Sequence, residues 1–155
     1  MNYITTVRYA QTQDDGLTKT VTEQYLIHSA ATFADAENLA YKQAAGAGAD
    51  GIEDVTAIKR TNICDIIHPS DDRSEAEGQR WYKAKLALIT LDEKTGKERK
   101  TAVNHIVLAR DIADARNIIV AYMRGSVTDY EIATLDETKI VSVISASSHD
   151  GNAER

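Results

Sequence analysis

The feature that most constrains this chain is an internal repeat: residues 3–67 and 81–144 carry the same apolar pattern. Tyr3, Thr6, Val7 and Tyr9 fall on Tyr82, Lys85, Leu86 and Leu88 at an offset of 79. Past the first turn, Tyr25-Leu26-Ile27-His28 falls on His105-Ile106-Val107-Leu108 at 80, and Ala34-Asp35-Ala36-Glu37 on Ala113-Asp114-Ala115-Arg116 at 79 again. One residue is gained in the turn and lost after it. Val55, Ile58, Ile63, Ile66 and Ile67 then fall on Ile132, Leu135, Ile140, Val143 and Ile144 at 77. Apolar positions persist while surface identities drift, as expected of two modules that share a backbone. At about 65 residues each module is marginal as a lone core, so the two are expected to pack as one pseudo-two-fold symmetric domain.

Each module predicts the element order ββαββ. Tyr3 to Ala10 alternates with β-branched and aromatic residues, Gln13-Asp14-Asp15-Gly16 is turn chemistry, and Thr18 to His28 resumes the strand pattern, which makes a hairpin. Thr32-Phe33-Ala34-Asp35 has capping-box spacing. Behind it Phe33, Ala36, Ala40 and Ala44 recur at helical spacing up to Gly46-Ala47-Gly48, which suits a helix end. From Ile52 to Ile67 the β pattern returns and changes phase near Arg60-Thr61-Asn62, predicting two strands. The second module follows suit. Trp81 to Leu91 and Glu98 to Ala109 flank the turn Asp92-Glu93-Lys94-Thr95-Gly96, and Asp111 and Asp114 repeat the cap spacing. Ile112, Ala115, Ile119 and Tyr122 share a helix face closed by Gly125, and Asp129 to Ile144 predicts two strands broken at Asp136-Glu137. The fold class expected is therefore α+β: an internally duplicated ββαββ module with two helices and two mostly antiparallel, curved sheets. The expected divisions are a first module over 1–67, a linker over 68–80 containing the single proline, a second module over 81–144, and a disordered tail over 145–155. Tyr3, Phe33, Tyr82 and Ile112 are the expected matched core positions.

Composition narrows the class. At 43% hydrophobic and 27% charged, the chain falls in the ordinary globular range. No basic region followed by an apolar run opens the sequence, so no signal peptide is expected. No uncharged run is long enough for a spanning helix, so no membrane partner is expected. One cysteine, Cys64, cannot form an internal disulfide and suggests a reducing, cytoplasmic compartment.

Candidate chemistry is sparse. His28, His68, His105, His149 and Cys64 are scattered without metal-ligand spacing, so no metal or other cofactor is expected. Gly46-Ala47-Gly48-Ala49-Asp50-Gly51 follows a helix and precedes a strand, the reverse of a phosphate-cradling loop. Ser29, Ser70 and Ser145 lie in no nucleophile-elbow context. Cys64 matches the apolar Val141 and is expected to be a small buried hydrophobe. No enzyme signature emerges, and the chain is expected to act by binding.

Charge is unevenly spread, and this points to a site. Residues 3–67 sum to −4, residues 81–144 to +1, and the whole chain to −6. The second hairpin concentrates Lys83, Lys85, Lys94, Lys97, Arg99 and Lys100, and strand alternation puts Trp81, Lys83 and Lys85 on one face. An aromatic among lysines on an exposed sheet face suits stacked bases and a phosphate backbone. Those seven residues, with Arg8 of the first module, form the expected nucleic-acid site. The alternative for the same residues is a solvated lysine face in which Trp81 merely covers the module boundary.

The runs Val21-Thr22-Glu23-Gln24-Tyr25-Leu26-Ile27, Thr32-Phe33-Ala34-Asp35-Ala36-Glu37, Arg80-Trp81-Tyr82-Lys83, Leu91-Asp92-Glu93-Lys94-Thr95-Gly96-Lys97-Glu98 and Asp129-Tyr130-Glu131-Ile132 resemble a family of short, uncharacterised proteins from Bacteroidetes, their phages and mobile elements. That resemblance implies a phage or mobile-element protein in a bacterial host cytoplasm, where single-stranded DNA-binding proteins are frequent. The duplicated module also resembles, in architecture alone, the single-strand binders of the transcriptional coactivator, Whirly and Pur groups, although those place four strands before the helix where this chain places two. Single-stranded DNA or RNA is the leading partner expected, in replication or recombination. A protein partner, for an adaptor or host-defence antagonist, is the alternative that net charge −6 favours.

Overall fold

The computed structural model describes residues 1–46, 53–69 and 78–146. In chain order they form β1 (Asn2–Thr12), β2 (Thr18–His28), α1 (Phe33–Gly46), β3 (Glu53–Thr61), β4 (Ile63–Ile67), β5 (Arg80–Leu91), β6 (Glu98–Ala109), α2 (Ile112–Met123), β7 (Asp129–Glu137) and β8 (Ile140–Ser145). This is the α+β class with a duplicated ββαββ order. The ends expected at Ala47-Gly48 and the acidic part of the linker, 70–77, lie outside the described residues, as does the chain beyond 146.

The hairpins explain the drifting offset. In the first, Thr12 pairs with Thr18, and the Gly16 N–H closes the turn on the Gln13 carbonyl at 2.9 Å. In the second, Leu91 pairs with Glu98, and the Gly96 N–H reaches one residue further back, to the Asp92 carbonyl at 2.8 Å. The extra residue is absorbed by widening an i+3 closure to i+4. Both glycines sit at positive φ, +82° and +68°, where a side chain is disfavoured. After β2 the residue is lost again around Ser29, itself at φ 64°, whose N–H donates to Asn2 Oδ1 at 3.0 Å.

Both helices start as the cap spacing predicts. Thr32 Oγ1 accepts from the Asp35 N–H at 3.1 Å, and Asp111 Oδ1 from the Asp114 N–H at 2.7 Å. Asp114 in turn accepts from the Arg110 N–H at 2.9 Å, completing a reciprocal box one residue ahead of the cap.

The sheets depart from the sequence modules. One has the order β3-β1-β2-β8 and the other β4-β6-β5-β7. Pairing is antiparallel except at β2–β8 and β4–β6, which are parallel. The last strand of each repeat therefore completes the sheet of the other. The compact units are Met1–Thr61 with the chain from Lys139 onward, and Asn62–Thr138, and not the modules expected over 1–67 and 81–144. The switch points are short: Asn62 alone, and Thr138-Lys139, two residues beyond the break expected at Asp136-Glu137. Each exchanged strand is held from the helix of its unit at equivalent repeat positions, by Gln43 Nε2 donating to Ser142 Oγ at 3.3 Å and by the Tyr122 hydroxyl donating to Asp65.

In the first unit Tyr3, Thr5, Val7 and Tyr9 line one face of β1 and pack with Tyr25, Ile27 and the Ala36, Leu39, Ala40 and Ala44 face of α1. In the second, Tyr82, Ala84 and Leu86 meet Val107, Ala115 and Ile119. Three core expectations need correction. Phe33 is 49% and Ile112 54% exposed; each is the first residue of its helix and precedes the buried positions that begin at Ala36 and Ala115, although the Phe33 ring centre lies 4.8 Å from that of Tyr3. Cys64 is exposed, since β4 is an edge strand whose register with β6 shifts between Ile63 and Asp65, so that Cys64 falls at the irregularity with no residue paired across from it. Ser145 ends β8 and Ala146 belongs to the first core, so the described chain stays ordered past the start expected for the tail.

Candidate nucleic-acid interface

The β5–β6 hairpin has two halves of different character. Its inner half is packed: on β6, Asn104 to Ala109 is buried without interruption. Its outer half is an arm on which every residue from Thr90 to Ala102 except Asp92 is exposed. Lys94, Lys97, Arg99 and Lys100 all stand on this arm. The turn that carries them is fixed by its own acid, because Asp92 Oδ1 accepts from the Lys94 N–H at 2.9 Å while the Asp92 N–H donates to the Lys97 carbonyl at 2.9 Å. Thr95 Oγ1 adds a bond to the Lys97 N–H at 3.4 Å.

Farther down β5, alternation places Trp81, Lys83 and Lys85 on one face, as expected, but not in one environment. Lys83 and Lys85 are exposed, whereas Trp81 is 8% exposed. Its ring meets His68 edge-on at 5.6 Å, its cross-strand partner Leu108 is buried, and its carbonyl accepts from both the N–H and the hydroxyl of Thr138. Trp81 is a packed residue and offers no open face for a base to stack on. Alternation tells which side of a strand a residue takes, and here that side is apolar at Trp81, Ile106 and Leu108 and open only beyond them.

The β5–β7 register adds residues that sequence reasoning missed. Asp136 lies across from Lys83, and Asp129 from Ile89. Glu131 accepts an ion pair from Lys100 Nζ at 3.2 Å, and Glu137 one from Arg80 at 3.3 Å. All four partners are about half exposed, so each pair is worth about 1 kcal/mol or less and a phosphate can compete for the cation. The alternation of acids in Asp129-Tyr130-Glu131 was visible in the sequence, but its apposition to β5 depends on a long-range pairing. Arg8 stands on β1 of the first unit, exposed and in register with Thr22 and Asp54; its unit is not the one that holds the arm.

Two polar clusters also went unseen. In the first unit the Tyr9 hydroxyl donates to Glu23 at 2.5 Å and the Tyr25 hydroxyl to the other oxygen at 3.1 Å. Burial, reinforced by the carboxylate, pushes the Tyr9 hydroxyl up to about 12. It thus stays protonated far above neutral pH and is poorly matched to proton transfer there. In the second unit Tyr122, on α2, is held by Asp65, and that bond, with burial, raises its ionisation range. His105 lies 6.1 Å from the Tyr122 ring, with Nδ1 buried and unpartnered. Burial lowers its proton affinity against the opposing pull of Asp65. Among the described residues no group of three His, Cys, Asp or Glu side chains stands close enough to hold a metal ion, and no helix is long and apolar enough to cross a membrane.

The sequence model of a family described as a domain of unknown function, DUF4494, matches residues 1–146. No curated protein and no solved structure matches the chain.

Proposed function

The chain thus belongs to the DUF4494 family, whose description names no activity, and we propose that it is a non-enzymatic binding protein whose ligand is single-stranded nucleic acid. The observation that carries this reading is the exposed arm of the β5–β6 hairpin, where Lys94, Lys97, Arg99 and Lys100 project beyond the packed half of the sheet. Three acids, Asp92, Glu93 and Glu98, share the arm with the four cations, of which Lys100 is paired with Glu131 on β7. Lys83 and Lys85 extend the cationic track down β5. Affinity on such a surface comes from phosphate contacts and the counterions they release. The resemblance to phage and mobile-element proteins makes replication or recombination of DNA in a bacterial host cytoplasm the proposed setting.

A second reading, a protein-interaction module, is favoured by the β7 acids Asp129, Glu131, Asp136 and Glu137, which border the same lysines. One titration separates the two. A fluorescein-labelled single strand added to the folded protein at about 50 mM salt should bind, and log K should fall with log salt by about 0.7 per phosphate contact. Lys94→Glu with Lys97→Glu should weaken binding and flatten that slope. Absence of binding at tens of micromolar protein, roughly the non-specific range, would end the nucleic-acid reading and leave the interaction module.

A further inference from the structure

At the root of the basic turn lies an open cleft of about 340 Å³ lined by Ile89, Thr90, Leu91, Glu98, Val127, Thr128 and Asp129. Leu91 is 70% exposed and Val127 fully exposed, the two most exposed large apolar side chains among the described residues. The repeat shows that the fold does not require them. At the equivalent positions the first hairpin carries Ala10 for Ile89, Thr12 for Leu91 and Thr18 for Glu98, and its end pair is Thr12 with Thr18. Each hairpin exposes a leucine beside or in its end pair, Leu17 at 68% and Leu91 at 70%, but only the second adds Ile89 and a carboxylate there.

We infer that this cleft seats a nucleobase of the strand whose phosphates follow the arm, and that it prefers bases bearing an exocyclic amine. The inference rests on the nucleic-acid reading and adds to it the element that Trp81 does not supply. Leu91 and Glu98 are the last pair of β5 and β6, so the turn from Asp92 to Lys97 begins one residue beyond the cleft. A nucleotide seated there places its backbone beside Lys94 and Lys97. Leu91 and Val127 offer aliphatic contact to the ring faces, a non-directional burial that does not depend on which base is seated. Glu98 and Asp129 supply carboxylate oxygens, which accept hydrogen bonds. They repel a phosphate from the cleft and accept from the amino group of cytosine or adenine, a pairing that carboxylates make with base edges. Thymine has no such amino group.

The test uses the whole chain and three labelled oligomers of equal length: oligo-dC, oligo-dT and an abasic backbone. The expected order of affinity is dC, then dT, then abasic. Leu91→Thr with Val127→Thr, which alters only exposed side chains, should weaken dC binding about tenfold, toward the abasic value, and leave abasic binding unchanged. Glu98→Gln with Asp129→Asn should narrow the gap between dC and dT while raising affinity for the abasic strand. Equal binding of all three oligomers, untouched by the Leu91 and Val127 changes, would overturn the base cleft and leave the phosphate reading standing. Failure of every oligomer to bind the folded chain would remove both.

Discussion

The two units share a backbone plan and fill it with opposite chemistry. At positions where the first unit places Tyr9, Glu23 and Tyr25, the second has Leu88, Val103 and His105. The first thus holds a partly buried carboxylate between two tyrosine hydroxyls, and the second has apolar packing plus an imidazole. Where the first helix reaches the exchanged strand through an amide and a hydroxyl, the second does so through a phenol and a carboxylate. The exposed arms diverge as well: Asp14, Asp15 and Lys19 on the first, and Asp92, Glu93 and Glu98 with four cations on the second. What the repeat retains is the apolar face beneath each helix and the exchange of the last strand. Polar groups were free to change in sets, since a buried polar group is tolerated when its partner is present.

That contrast can be tested from its strongest element down. Leu86→Ala should destabilise the second unit by about 2–5 kcal/mol, because the side chain is fully buried. Phe33→Ala should cost under about 1 kcal/mol, as expected of an exposed residue outside the core. A urea series on both variants measures the difference; equal losses would contradict the burial seen at these two positions. Next, Glu23→Val installs the second unit's residue in the first and removes the acceptor of the Tyr9 and Tyr25 bonds, for a loss of about 1–3 kcal/mol. If thermal melts show no change, the cluster contributes nothing.

The two latches should differ less. Tyr122→Phe should lose about 0.5–1.5 kcal/mol and Ser142→Ala a smaller amount, since only the first bond involves a charged acceptor. Double-mutant cycles with Asp65→Asn and Gln43→Ala isolate each pair.

The smallest effects are those of pH, and they fall on opposite limbs. Burial holds the His105 imidazole below its usual value of 6.5, so the unfolded chain takes up that proton more readily. The stability this group contributes is complete above about 6.5 and is lost as pH falls below it. Tyr9 behaves in the reverse sense, because its folded range is raised from 10.0 to about 12. Its contribution is complete below about 10 and declines as pH rises toward 12. Urea midpoints across both limbs, compared with His105→Gln and Tyr9→Phe, should show each variant flattening one limb alone. A variant that leaves its limb unchanged would remove that group from the titration.

Much of the local structure was legible. Gly16 and Gly96 marked turns because few other residues accept their φ, Thr32 and Asp111 marked helix starts because a free N–H needs an acceptor, and alternation from Tyr3 to Tyr9 marked the buried side of β1. All of these are decided within a few residues. The candidate site was legible only as charge: the sequence showed where lysines concentrate on the second hairpin. It did not show that Trp81 is covered, or that Glu131 and Glu137 reach Lys100 and Arg80.

The sequence by itself determined the repeat, the element order, the turns and caps, and the apolar face beneath each helix, because these depend on backbone preferences and side-chain period. Only the tertiary structure decided which sheet receives β4 and β8. The apolar runs Ile63–Ile67 and Ile140–Ser145 suit either sheet edge, and no local signal distinguishes a strand that pairs within its own repeat from one that pairs in the other. The same dependence on distant neighbours left Phe33 and Ile112 exposed at their helix starts, turned Cys64 outward on an edge strand, and buried Trp81. Exposure of a side chain depends on what the rest of the chain brings against it, and hydrophobic period alone fixes only the direction in which it points.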